Sequence, residues 1–110
     1  MTGMLEGKVI LVTGGSTGIG RATSRILARE GATVVVADLQ DAAGEETVAA
    51  VQAAGGRAEY RHLDVGDHAA VRALVADIAA RHGGLDGAFN NAGIEGPTAK
   101  ILELPPADWD

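Results

Sequence analysis

Val9-Ile10-Leu11-Val12-Thr13-Gly14-Gly15-Ser16-Thr17-Gly18-Ile19-Gly20 is the stretch that decides the fold of this 110-residue chain. Its first four residues are consecutive branched aliphatics, the composition of a strand buried on both faces in a parallel sheet. Gly14, Gly18 and Gly20 then remove side chains where the backbone must turn sharply and where a ligand can touch it. Arg21 to Glu30 continue at roughly helical spacing, with Ala22, Ile26 and Ala28 as the apolar positions. A strand, a glycine turn and a helix N-terminus together offer free N–H groups and the positive end of a helix dipole, which suits a phosphate.

The spacing is Gly-x-x-x-Gly-x-Gly after Thr13, not Gly-x-Gly-x-x-Gly. A loop that used glycine only to turn would need no second signal downstream. Here Thr33-Val34-Val35-Val36-Ala37 forms a second β-branched run and ends in Asp38. A carboxylate about 20 residues past such a turn, at the end of the second strand, can hold an adenosine ribose; the alternative for Asp38 is a solvated strand-end aspartate. Two other glycine loops do not fit. A P-loop needs Gly-Lys-Ser/Thr, where this chain has Gly20-Arg21-Ala22, and a methyltransferase loop carries an acidic residue where this chain has Thr13.

Composition narrows the function classes. The length allows one domain. Apolar residues make up 46% of the chain with one each of Phe, Tyr and Trp, so the core must be built from Ala, Val, Ile and Leu. The net charge of −6 argues against nucleic acid or an anionic membrane as the main partner. With no cysteine, disulfides and thiolate metal sites are excluded. No stretch reads as a signal peptide or reaches transmembrane length, so a cytoplasmic location is expected. Met4 is an alternative start, since Leu5-Glu6-Gly7-Lys8 leads straight into the first strand.

Four β-α units are legible. The strands are expected at Lys8 to Thr13, Thr33 to Asp38, Ala58 to Leu63 and Asp86 to Asn90. The helices are expected at Ile19 to Glu30, Asp41 to Ala54 and Asp67 to His82. Gly31, Gly55-Gly56 and Gly83-Gly84 stop them. Val71, Leu74, Val75 and Ile78 mark the apolar face of the third helix. Asn91 to Leu104 reads as a loop, and Pro105 to Asp110 as the first turn of a fourth helix. Alternating strands and helices predict an α/β fold of Rossmann type, a doubly wound parallel sheet in the order 3-2-1-4 that stops after its fourth strand. The crevice between strands one and four is then the ligand site.

Thr13-Gly14-Gly15-Ser16-Thr17-Gly18-Ile19-Gly20, Asp38, Asp64-Val65 and Asn90-Asn91-Ala92-Gly93 resemble the N-terminal half of a short-chain dehydrogenase/reductase, in that family's order and spacing. The resemblance covers nearly all of Leu5 to Asp110. It implies NAD as cofactor, preferred over NADP, and an alcohol or ketone substrate. It places the backbone of Ser16, Thr17, Gly18 and Ile19 against the pyrophosphate, with Gly14 and Gly20 shaping the turn. It assigns Asp38 to the ribose hydroxyls with Leu39 beside it, and Asp64 to the adenine amino group with Val65 against the ring. It sets Asn91, Ala92 and Gly93 near the nicotinamide ribose, braced by Thr13. Asp64 could instead cap the third helix, although Asp67 is better placed for that, and Asn91 could be a plain turn residue.

The family's chemistry also needs Tyr-x-x-x-Lys on one helix face and a nearby serine. The one tyrosine is Tyr60, four residues before Asp64, and the lysines are Lys8 and Lys100. The expectation is therefore a cofactor half-site without catalytic residues, a fragment of a larger enzyme that is homo-oligomeric when whole. The competing reading is a non-catalytic nucleotide-binding or interaction module. His62, His68 and His82 are too scattered to suggest a metal site.

Overall fold

The computed structural model describes residues 3–16 and 18–90. In chain order the elements are β1 (Val9–Thr13), α1 (Gly18–Arg29), β2 (Thr33–Asp38), α2 (Asp41–Ala53), β3 (Arg57–His62), α3 (His68–His82) and β4 (Gly87–Asn90). The strands form one parallel sheet in the order β3-β2-β1-β4, as the alternation of elements requires.

The period of two along each strand separates two apolar layers. Val9 and Leu11 of β1, with Val35 and Ala37 of β2, meet Leu74 and Ile78 of α3 on one face. Val12, Val34 and Val36 point the other way, toward Leu27 and Ala28 of α1 and Val48 of α2. Because β2 lies between two strands and under both layers, Val34, Val35, Val36 and Ala37 are fully buried. That explains its unbroken aliphatic run. Val71, Leu74, Val75 and Ile78 do form the packed face of α3.

The expected boundaries move at several ends. β1 begins at Val9 rather than Lys8, and β4 at Gly87 rather than Asp86. Asp86 is engaged differently: its carboxylate accepts the Val9 N–H at 2.8 Å. Asp67 stands just outside α3 as its N-cap, accepting the Ala70 N–H at 3.0 Å. β3 runs one residue earlier than expected because its pairing with β2 begins at Arg57 opposite Thr33. Leu63 has left the strand, though its N–H still donates to Asp38 O at 2.9 Å.

The apolar face assigned to α1 needs correction. Ile26 is 51% exposed and Ala22 also faces outward, whereas Gly20 and Ser24 are buried. A Cβ on Gly20 would lie 2.0 Å from Gly14 O, so only glycine lets the helix come this close to the turn. Ser24 is tolerated in the core because its hydroxyl donates to Gly20 O at 2.9 Å. Gly20 and Ser24 thus share the inward side of this helix with Leu27 and with Ala28, the one expected apolar position that packs there. Among the described residues, no helix is long and apolar enough to cross a membrane.

Candidate functional site

A parallel sheet brings the C-terminal ends of all its strands to one edge. Here Thr13 lies between Ala37 and Asn90, and Asp38 lies opposite His62. The Thr13 hydroxyl donates to Asn90 Oδ1 at 2.6 Å and ties the ends of β1 and β4 together. The expected brace from Thr13 to Asn91, Ala92 and Gly93 concerns residues outside the described ones; the bond seen is to Asn90. The Gly14 N–H donates to Ala37 O at 2.8 Å and holds the glycine turn against β2. Gly18 has φ +55°, and a Cβ there would meet nothing within 4 Å. Among the described residues nothing crowds Gly18 at the start of α1, where the N–H groups of Gly18, Ile19 and Gly20 have no acceptor within the helix.

Asp38 ends β2 beside this turn. Ser16 donates to its Oδ2 through its N–H, 3.1 Å, and its hydroxyl, 2.5 Å. The N–H groups of Leu39 and Gln40 donate to Oδ1 at 2.6 and 3.2 Å. Burial alone would raise the Asp38 pKa. The Ser16 hydroxyl, then the Gln40, Ser16 and Leu39 N–H groups, outweigh burial and lower it below the ordinary carboxylate value. The group is thus a fixed anion at neutral pH. Ser16 is fully buried and its N–H is committed to Asp38. Ser16 thereby orients the Asp38 carboxylate.

Three side chains that sequence reading did not assign to this site hold it in place. Arg21, on the first turn of α1, donates to Ser16 O at 2.8 Å, to Ala43 O at 3.0 Å and to the buried Thr47 hydroxyl at 2.9 Å. One guanidinium thereby joins the glycine turn to α2. Tyr60 of β3 places its hydroxyl 2.7 Å from Asp38 O and 2.6 Å from Asp41 Oδ1. His62 Nδ1 lies 2.7 Å from the same Asp41 oxygen. The Tyr60 bond, then the His62 bond, hold Asp41 below the usual carboxylate range, so Nδ1 carries the proton. Burial and the neighbouring Asp41 push the Tyr60 phenol well above its ordinary value, which unsuits it for acid–base work. A usable signal was Gly44, a glycine inside α2 where alanine would be about 1 kcal/mol better. Its missing Cβ would stand 2.1 Å from Tyr60 Cε1.

Asp64 lies exposed two residues past β3, its Oδ1 accepting the Gly66 N–H at 2.9 Å. Val65 packs against the α3 face of the sheet. Leu39, next to Asp38, and Ile19, in the first turn of α1, are 56% and 67% exposed. Thr17, Asn91, Ala92 and Gly93 lie outside the described residues. A carboxylate fixed beside a helix N-terminus, with these exposed apolar residues, fits the sugar, phosphate and rings of a dinucleotide. Among the described residues there is no cluster of His, Cys, Asp or Glu able to hold a metal. A cavity of about 290 Å³ near Arg25, Arg29 and Val51 lies instead at the C-terminal turns of α1 and α2, and neither Asp38 nor the glycine turn lines it.

Comparison with known proteins agrees with this geometry. The family model described as short chain dehydrogenase matches residues 8–110. The chain is 56% identical over 100 residues to a 2,5-dichloro-2,5-cyclohexadiene-1,4-diol dehydrogenase of Sphingobium indicum, covering 91% of this chain and 39% of that protein. It is 45% identical over 107 residues to a 3beta-hydroxysteroid dehydrogenase of Mediterraneibacter gnavus, covering 97% of this chain and 39% of that protein. Among solved structures, a citronellol catabolism dehydrogenase of Pseudomonas aeruginosa superposes with TM-score 0.78 at 31% identity, over 93% of this chain and 45% of that one. The chain thus spans 39% of the length of these two curated relatives.

Proposed function

This chain belongs to the short-chain dehydrogenase family, and from that premise we propose that it is the cofactor-binding part of an NAD-dependent oxidoreductase acting on an alcohol or ketone. The observation that carries the reading is Asp38, an ionised carboxylate held at the end of β2 beside the glycine turn. Such a carboxylate accepts hydrogen bonds from a ribose diol and repels a 2′-phosphate, which favours NAD over NADP. The N–H groups of Gly18, Ile19 and Gly20 would meet the pyrophosphate. Asp64, with one carboxylate oxygen engaged by Gly66, would use the other on the adenine amino group. Bound there, the cofactor would supply a hydride acceptor and donor.

Tyr60 cannot serve as the acid–base group. Its hydroxyl is committed to Asp38 and Asp41, and the residue four positions on is Asp64. The proton-transfer residues are therefore assigned to sequence outside these 110 residues. The test is to assay the complete gene product with NAD and NADP over a panel of ring-bound alcohols, chosen because two relatives are named for a cyclohexadiene diol and a hydroxysteroid. NADH formation that depends on NAD is expected. Dinucleotide binding without turnover on any alcohol or ketone would favour the non-catalytic reading instead.

A further inference from the structure

The Asp38 carboxylate is held from two directions, and only one of them is the glycine turn. Its own main-chain carbonyl accepts the Leu63 N–H at 2.9 Å and shares the single Tyr60 hydroxyl proton with Asp41 Oδ1, the two oxygens lying 2.7 and 2.6 Å from the phenol oxygen. Both lone pairs are then used, which fixes the plane of the Asp38–Leu39 peptide. The N–H of that same peptide donates to Asp38 Oδ1 at 2.6 Å. Rotating the peptide would withdraw this donor and leave the carboxylate held mainly through Oδ2. The Tyr60 hydroxyl thus acts on the carboxylate through one rigid peptide unit.

The rest of the surroundings keep that hydroxyl in place. The Tyr60 ring fills the space above Gly44, where a Cβ would lie 2.1 Å from Cε1 and 2.4 Å from Cδ1. The hydroxyl also reaches Asp41, the first residue of α2, which His62 holds from two residues further along β3. β3, the tip of β2 and the start of α2 meet at this one oxygen.

We propose that Tyr60 is a positioning residue for cofactor choice: through the Asp38 carbonyl it keeps the Asp38 carboxylate in the orientation that accepts an adenosine ribose and excludes a 2′-phosphate. The proposal rests on the reading of Asp38 given above. A Tyr60 that merely packed α2 onto β3 would affect stability and leave the cofactor ratio alone.

The experiment uses the complete gene product, with Kd for NAD, NADP and nicotinamide mononucleotide measured by calorimetry beside the thermal midpoint. Y60F keeps the ring over Gly44 and removes only the hydroxyl. It should weaken NAD about 3- to 10-fold, the worth of one hydrogen bond, and lower the NAD-to-NADP affinity ratio. Binding of nicotinamide mononucleotide, which lacks the adenosine, should stay unchanged. G44A, which pushes the ring aside but keeps its hydroxyl, should lower the same ratio. A ratio equal to wild type in Y60F or in G44A, whatever the thermal midpoint does, overturns the proposal. Wild-type protein that binds neither dinucleotide overturns the underlying cofactor reading as well. Wild-type NAD binding with an unaltered variant ratio removes the Tyr60 inference alone.

Discussion

At Asp38 the chain spends four hydrogen-bond donors on one carboxylate, and the result is an anion that stays ionised through the neutral range. A lowered folded-state pKa contributes stability that is present above the ordinary carboxylate value and is lost as pH falls through the folded one. Asp41 and Asp77, lowered respectively by Tyr60 with His62 and by Arg61, act in the same direction. In the complete gene product the thermal midpoint should therefore be insensitive to these groups above about pH 5 and fall below about pH 4, as an acid series of melting curves would show. A midpoint indifferent to acid down to about pH 3 would contradict the described bonding. The position of Asp38 is readable in the sequence because strand length and the glycine turn fix where β2 ends. Its partners are not. Ser16 reads as part of the phosphate cradle, and the meeting of Tyr60, Asp41 and His62 depends on the register of β3 against β2 and on where α2 begins.

Among the elements, β1 and β2 are the most legible, because their branched aliphatic runs are short and end at glycine or aspartate, which decides for strand over buried helix. α3 is legible for a related reason, its apolar residues recurring at helical spacing and its cap at Asp67 satisfying Ala70. α1 departs from its expected face. Its buried positions are Gly20 and Ser24, chosen for close approach to the turn, and hydropathy does not reveal such a face. β3 begins one residue before its expected start because pairing with β2 sets its first residue at Arg57, whose charge hid it: Arg57, Glu59 and Arg61 alternate along one side, with Arg61 and Arg81 paired to Asp77 and Glu59. A direct test at this scale is D67A, which removes the side-chain cap of α3 and nothing at the cofactor edge. It should cost about 1 kcal/mol of stability while leaving NAD affinity unchanged. Equal stability would mean that the Ala70 bond contributes nothing measurable.

For the molecule as a whole, the strand order follows from the alternation of elements, and with it the crevice at the end of β1. Among the described residues β4 borders only β1, and its Ala88 and Phe89 are half-buried. Ile19 and Ile26 are exposed on α1. An open apolar edge promotes association, and domain stabilities are only about 5–15 kcal/mol. Expressed alone, the 110-residue chain should run as mixed oligomers on size exclusion, melt broadly and show no dehydrogenase turnover. A sharp two-state monomer would contradict this. Cofactor choice at Asp38 is the most direct point of test, and one calorimetric titration reaches it: NAD and NADP into the complete gene product, wild type beside the D38A/L39R double variant. Wild type is predicted to prefer NAD by about 10- to 200-fold, since a carboxylate facing a 2′-phosphate costs on the order of 1–3 kcal/mol. The double variant is predicted to shift toward NADP. Wild-type protein that binds NADP as tightly as NAD, or more tightly, would contradict the role given to Asp38.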